Sequence, residues 1–268
     1  MNFRTIDLRD MGPRLRYFAS SSGLESLKRQ LPETLPPFVL YGSGDFHYLS
    51  GYWLKRIAAK AEAGGEITLV CFDNHPDWDI RPPRWGCGGW INRALELSAV
   101  RQVQVWGCGN FEWAMPSRLF ANLAALKRGD LVVHPWAERQ GKSVQRRFKC
   151  MNRESWRYSF EQFASGLVGA NVYVTVDLDC LAAEQASTNW ENGLFVAEDV
   201  AWAIGQIRQR AKLIGGDVCG AYSPPRYDGV FRRFAGWWDH PRLETPPLEE
   251  ARRINAAALA AIWPAMTE

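Results

Sequence analysis

The sequence has no long apolar run, no paired cysteines and little net charge, and each absence removes a class of protein. No stretch approaches the run of roughly 20 apolar residues that a bilayer-spanning helix needs. The first residues, MNFRTIDLRDMGPRLRYF, carry no apolar segment of the kind a secretory leader requires. The six cysteines (Cys71, Cys87, Cys108, Cys150, Cys180 and Cys219) are scattered without any CxxC spacing, so no disulfide framework is expected. Cys71 and Cys219 fall inside apolar runs, where a reduced thiol behaves as a small hydrophobe. Together these features predict a reducing, cytoplasmic setting and no membrane partner. A net charge of +3 is too small to point to nucleic acid.

What is present is material for a large core: 268 residues, 47% of them apolar and 23% charged, which leaves little room for disorder. No repeat, low-complexity tract or linker interrupts the chain, so a single domain over residues 1–268 is expected. Short β-rich runs at 38–42, 67–73, 103–107, 131–134, 172–179 and 213–221 alternate with helical patterns. That alternation predicts a parallel sheet with crossover helices, its strands covered on both faces. Leu49, Tyr52, Trp53 and Ile57 have helical spacing, as do Val200, Ile204, Ile207 and Ala211, then Leu248, Ala251, Ile254 and Ala258. Residues 222–247, rich in Pro, Arg and Trp, read as the longest loop and a candidate lid. Thirteen tryptophans exceed ordinary core needs, and Trp78, Trp85 and Trp90 lie close enough to polar motifs to wall a pocket.

Three polar clusters follow strand runs directly, and the carboxyl ends of strands are where open α/β sheets bind ligands. They are Gly42-Ser43-Gly44-Asp45-Phe46-His47, Asp73-Asn74-His75-Pro76-Asp77-Trp78-Asp79 and Asp177-Leu178-Asp179. The middle cluster is the most informative. Its carboxylates and histidine, just past a buried strand, would repel one another badly without a cation. Alternation along an extended segment would turn Asp73, His75 and Asp77 to one side. Asp177-x-Asp179 alone is more often a turn or a helix cap; its weight comes from being a second acidic cluster on another strand end. Carboxylate and imidazole donors suit Mn2+ first, with Zn2+, Fe2+ or Mg2+ as alternatives, and two such ions can share a bridging carboxylate. The Gly42-x-Gly44 step is no dinucleotide motif, because His47 stands where its third glycine belongs.

In order and in strand-end placement, Asp73-x-His75-x-Asp77 and Asp177-x-Asp179 resemble the D-x-H-x-D and S-x-D-x-D metal motifs of the arginase/agmatinase (ureohydrolase) family. Gly44-Asp45-Phe46-His47 is similar to that family's G-G-D-H motif with Phe46 inserted, and the resemblance covers about residues 38 to 221. It implies an arginase-like three-layer αβα fold with a mostly parallel central sheet. It also implies one metal on His47, Asp73, Asp77 and Asp177 and another on Asp73, His75, Asp177 and Asp179. The chemistry implied is hydrolysis of a C–N bond at a guanidinium or amide-like carbon of a small molecule, in a family whose members often form homo-oligomers. The departures are specific. Asp179 runs into Cys180-Leu181-Ala182 rather than Asp-Pro, residues 217–224 lack the family's substrate-holding Glu, and Trp85–Trp90 lacks its proton-transfer His. Arginine is therefore not the expected substrate. A non-catalytic metal- or ligand-binding descendant and an amide deacetylase on the related fold remain the alternatives. Asp77 is one candidate catalytic residue, and strand-end His134 and loop residue His240 are two more. Asp45 and Asp79 read as groups that orient ligands.

Overall fold

The computed structural model describes residues 5–60, 65–113, 115–244 and 246–268. Its strands are β1 (Phe18–Ala19), β2 (Phe38–Leu40), β3 (Ile67–Phe72), β4 (Trp85–Gly86), β5 (Val100–Trp106), β6 (Leu131–His134), β7 (Asn171–Asp177) and β8 (Lys212–Cys219). Its helices are α1 (Gly12–Leu15), α2 (Ser21–Gln30), α3 (Leu49–Ala58), α4 (Ile91–Leu95), α5 (Leu123–Arg128), α6 (Lys142–Gln145), α7 (Trp156–Ser165), α8 (Ala197–Arg208), α9 (Val230–Asp239) and α10 (Leu248–Thr267). Six strands form one sheet in the order β2-β8-β7-β3-β5-β6, and every pairing in it is parallel. All six apolar runs of the sequence became these strands. β1 and β4 form a separate antiparallel pair.

Alternation along the strands divides the core in two. Ile67, Leu69 and Cys71 of β3, with Tyr173 of β7, face a cluster containing Leu27 of α2, Trp53 and Leu54 of α3 and Ile91 of α4. Val70 and Phe72, with Val172, Val174 and Val176, face Phe160 of α7, Ile204 of α8 and Ile262 of α10. Burying both faces explains the near-continuous apolarity of the strands and makes the three-layer αβα arrangement. Glu198 and Asp199 sit in the first turn of α8, where Asp199 accepts from the Val196 N–H at 3.3 Å. Among the described residues no helix is long and apolar enough to cross a membrane.

The sheet order also locates the site. From β3 the chain continues to β5 on one side, and from β7 to β8 on the other, so connections diverge between β3 and β7. At such a switch point the strand carboxyl ends open into a crevice that helices do not fill. Residues 222–247 differ from expectation, since they contain helix α9. Val230, Phe231, Phe234, Trp237 and Trp238 line one face of it, but that face is exposed, so the stripe marks no core contact.

Gly216 is required by close approach rather than by backbone conformation. A Cβ there would meet the Val174 carbonyl oxygen at 2.5 Å and collide with the Met266 side chain. Gly216→Ala should lower the unfolding free energy by about 1–3 kcal/mol. A denaturant midpoint unchanged from the parent would contradict this packing.

Candidate metal centre

Three strand ends and one short turn deliver the polar side chains. A single 3-10 turn, Gly44–Phe46, follows β2 and takes up the extra Phe46, so that His47 enters the crevice. After β3 the chain does not stay extended. His75 N–H donates to Asp73 Oδ1 at 2.7 Å, the Asn74 N–H donates to Asp179 Oδ1 at 3.1 Å, and Asp77 adopts a φ of +44°. Asp73, His75 and Asp77 therefore converge through a bend and a left-handed residue, not through strand alternation. Aspartate tolerates that region better than most residues, and such backbone outliers concentrate at functional sites. Gly220, at φ +99°, lies so near Asp177 that a Cβ would collide with its carboxylate.

The side chains form two nests around one shared carboxylate. His47 Nδ1 lies 3.0 Å from Asp73 Oδ2, 3.4 Å from Asp77 Oδ2 and 3.4 Å from Asp177 Oδ2. His75 Nδ1 lies 3.6 Å from Asp73 Oδ1 and 3.0 Å from Asp179 Oδ2. Asp73 thus turns one oxygen to each imidazole. All six side chains are buried. Trp90 Nε1 donates to Asp77 Oδ2 at 2.6 Å, and its ring lies 4.8 Å from that of His47.

Polar groups behind each imidazole fix its orientation. Asp217 lies within hydrogen-bond reach of the hydroxyls of Tyr173 (2.5 Å), Ser50 (2.7 Å), Thr175 (2.7 Å) and Tyr41 (3.2 Å); burial raises its carboxyl, and these donors offset part of that rise. With its proton committed to Asp217, Thr175 Oγ1 accepts from His47 Nε2 at 3.0 Å. His47 Nδ1 is then the ring nitrogen left to face the three carboxylates. Behind His75 stands Glu191, its Oε2 3.4 Å from Nε2 as a charge neighbour without a hydrogen bond. Carboxylates placed behind inward-facing imidazoles are the usual support of metal-binding histidines.

The charge balance tests whether a cation fits. Burial raises Asp177 and Asp179, reinforced by neighbouring carboxylates; burial also raises Asp77, reinforced by Asp73. Burial opposes charging of His47 and His75 too, yet the acidic groups around them outweigh it and raise both. Without a cation the cluster must hold protons that its geometry does not need. A divalent ion in each nest would satisfy the inward lone pairs and the carboxylates together. The residues fit metal.

Above the nests is a cavity of about 50 Å3 bounded by Glu112, Trp190, Asp239, Cys87 and Gly88. That volume holds a few waters at roughly 10–15 Å3 each. Glu112 is half-buried, and desolvation pushes it up to about 8. Asp239 accepts from Tyr17 Oη at 2.5 Å, and Tyr17 itself has a φ of +74°. Beside the cavity, Asp45 is paired with Arg16 Nε at 2.6 Å and His240 Nε2 at 2.6 Å and accepts from Trp190 Nε1 at 3.2 Å. Burial alone would raise Asp45, but His240 and Arg16 outweigh it and hold it low.

The structure brings His47, Asp73, His75, Asp77, Asp177 and Asp179 together and leaves His134 out. The His134 ring stacks on Trp106 at 3.5 Å, its Nε2 meets Gln104 Oε1 at 2.7 Å, and burial pushes it down to about 3. It is a packed neutral side chain near the sheet edge, which corrects its assignment as a catalytic residue. His240 reaches the rim, but its ring is turned to Asp45, Trp190 and Tyr227. Asp79 pairs with Arg81 rather than with any nest residue. Trp90 is a site residue, whereas Trp78 packs on Trp113 at 4.6 Å. Sequence reading missed Thr175, Asp217, Glu112, Trp190 and Glu191. One signal was available: Tyr173, Thr175 and Asp177 recur at every second position of β7, a polar stripe inside an apolar strand.

An all-parallel sheet with acid–histidine nests at its switch point defines a class, the arginase/agmatinase-like α/β fold, and comparison with solved structures supports it. The chain is similar to an arginase from Medicago truncatula (17% identity, TM-score 0.50, covering 92% of this chain and 62% of that one). It is also similar to a hypothetical agmatinase from Burkholderia thailandensis (20%, 0.52, 85% and 58%) and to proclavaminate amidino hydrolase from Streptomyces clavuligerus (14%, 0.50, 86% and 65%). This chain thus spans less than two thirds of the length of each of these three proteins. No family model and no curated protein matches the sequence.

Thr175→Val keeps the shape of β7 but removes the link between His47 and Asp217. It should weaken metal binding by about 10- to 100-fold with the fold intact, measured by calorimetric titration. Affinity equal to the parent's would rule out the relay.

Proposed function

We propose that this chain is a metal-dependent hydrolase acting on a C–N bond of a small guanidino- or amide-containing substrate other than arginine. The observation that carries the reading is Asp73, whose two oxygens face two separate imidazoles, so that one carboxylate is shared by both nests that would hold metal. We take those ions to be divalent, with Mn2+ the first candidate. Metals held there supply Lewis acidity and lower the pKa of water, which is the chemistry that hydrolysis at neutral pH needs. The chain's own residues do the rest. Asp77, held by Trp90, takes the proton given up by the attacking water. Asp239 and Glu112 line the cavity; burial holds the Glu112 proton to about 8, and a bound guanidinium or amidinium cation would draw that proton off and pair with the carboxylate, in place of the Glu missing from residues 217–224. His240 is a positioning residue, holding Asp45 and through it the Trp190 indole over the cavity. We extend the reading to one domain over residues 1–268 that works in the cytoplasm, alone or as a homo-oligomer.

One observation favours a second reading. The cavity of about 50 Å3 at the nests holds a few waters and ions, as a non-catalytic, metal-binding descendant would also have it. A screen of guanidino compounds, amidines, ureas and amides on metal-loaded protein separates the two. Turnover of at least one compound is expected, lost on chelation and reduced at least about 100-fold by Asp77→Asn. No turnover across the screen, with metal demonstrably bound, would leave the binding-only descendant. Glu112→Gln should raise KM for a cationic substrate while leaving that for a neutral amide unchanged; equal effects on both would remove Glu112 from substrate recognition.

A further inference from the structure

The floor of the crevice carries two thiols that the proposed reaction does not use. β3 and β8 flank β7, and the register places Cys71 beside Thr175, Thr175 beside Asp217 and Asp177 beside Cys219. Cys71 and Cys219 are 0% and 1% exposed, and both lie on the sheet face from which the nests rise. The Cys71 Sγ is 3.8 Å from Asp73 Oδ2, and the Cys219 Sγ is 3.4 Å from Asp177 Oδ2. Those are the two oxygens that face His47 Nδ1, at 3.0 and 3.4 Å. The donor atoms of His47, Cys71 and Asp73 lie within 4.8 Å of one another, as do those of His47, Asp177 and Cys219. The cluster of Asp73, His75 and Asp179 contains no sulfur.

The separations suit shared coordination. An oxygen about 2.1 Å and a sulfur about 2.3 Å from one ion stand roughly 3.6 Å apart at a tetrahedral angle. The observed 3.4 and 3.8 Å bracket that value. Apolar packing explains neither distance, because each sulfur is aimed at a carboxylate oxygen.

We infer that the two nests are chemically unequal: the one at His47 is a mixed nitrogen, oxygen and sulfur site in which Cys219, the thiol nearer its carboxylate, ligates the ion beside His47 and Asp177. This rests on the reading of the cluster as a metal centre and deepens it. Thiolate donors favour Zn2+, Co2+ or Fe2+ over Mn2+, whereas the nest at His75, built from carboxylates and imidazole, remains suited to Mn2+. As the metal–sulfur bond forms, the Cys219 thiol proton is released to solvent.

Cobalt(II) titration of the metal-free protein tests this without reference to activity. A sulfur-to-cobalt charge-transfer band in the near ultraviolet is expected, lost in Cys219→Ser and kept in Cys71→Ser, whose sulfur belongs to a separate group, and in Cys150→Ser, whose thiol lies outside both clusters. A band lost in Cys71→Ser and kept in Cys219→Ser would overturn the assignment of Cys219. X-ray absorption on the zinc-loaded parent needs no variant and should contain a sulfur shell at about 2.3 Å. Bound ion with neither band nor sulfur shell would overturn the inference and leave the metal centre standing, the thiols then being S–H donors to Asp73 and Asp177. Absence of any ion binding would overturn the centre itself.

Discussion

Four carboxylates, Asp73, Asp77, Asp177 and Asp179, share one buried crevice, and their mutual repulsion governs the structure around it. Ionised carboxylates removed from water cost several kcal/mol each unless positive charge or hydrogen-bond donors compensate. The chain supplies part of that compensation. Backbone N–H groups of Asn74, His75 and Asp179 occupy one oxygen on each of three carboxylates, and the Trp90 indole occupies one on Asp77. The second oxygens of Asp73, Asp177 and Asp179 turn inward toward the two imidazole nitrogens, while Asp77 presents to His47 the same oxygen that Trp90 holds. Cations complete such an arrangement, and the bend after β3, the left-handed Asp77 and the crowding at Gly220 all follow from aiming these groups at common points.

Support for this geometry extends well behind it. Asp217 gathers four hydroxyls beneath His47, and Glu191 stands behind His75. At the rim, Arg16, Asp45 and His240 form a polar chain that holds Trp190 against the cavity, while Tyr17 fixes Asp239. The inward wall is paired, whereas helix α9, which carries Asp239, turns its aromatic face to solvent.

Much of the fold was legible in the sequence because local pattern and tertiary demand agree there. Six β-rich runs became six parallel strands, and the spacings in α3, α8 and α10 became helices packed on the sheet. Legibility failed where one residue's surroundings come from distant segments. His134 ends a strand as a ligand would, yet the decisive fact is Trp106 on the neighbouring strand. Cys71 and Cys219 look like core thiols because their immediate neighbours are apolar; only the pairing of β3, β7 and β8 sets them beside Asp73 and Asp177. Helix α9 was hidden for a different reason. Its apolar stripe faces solvent, and the surrounding prolines made the segment read as loop.

Metal stoichiometry tests the central claim most directly. After loading and removal of free metal, elemental analysis of the parent and of Asp177→Asn should give close to two divalent ions per chain in the parent and a clear loss in the variant. A parent that retains no ion would contradict the account, for the carboxylates would then be held by protons alone.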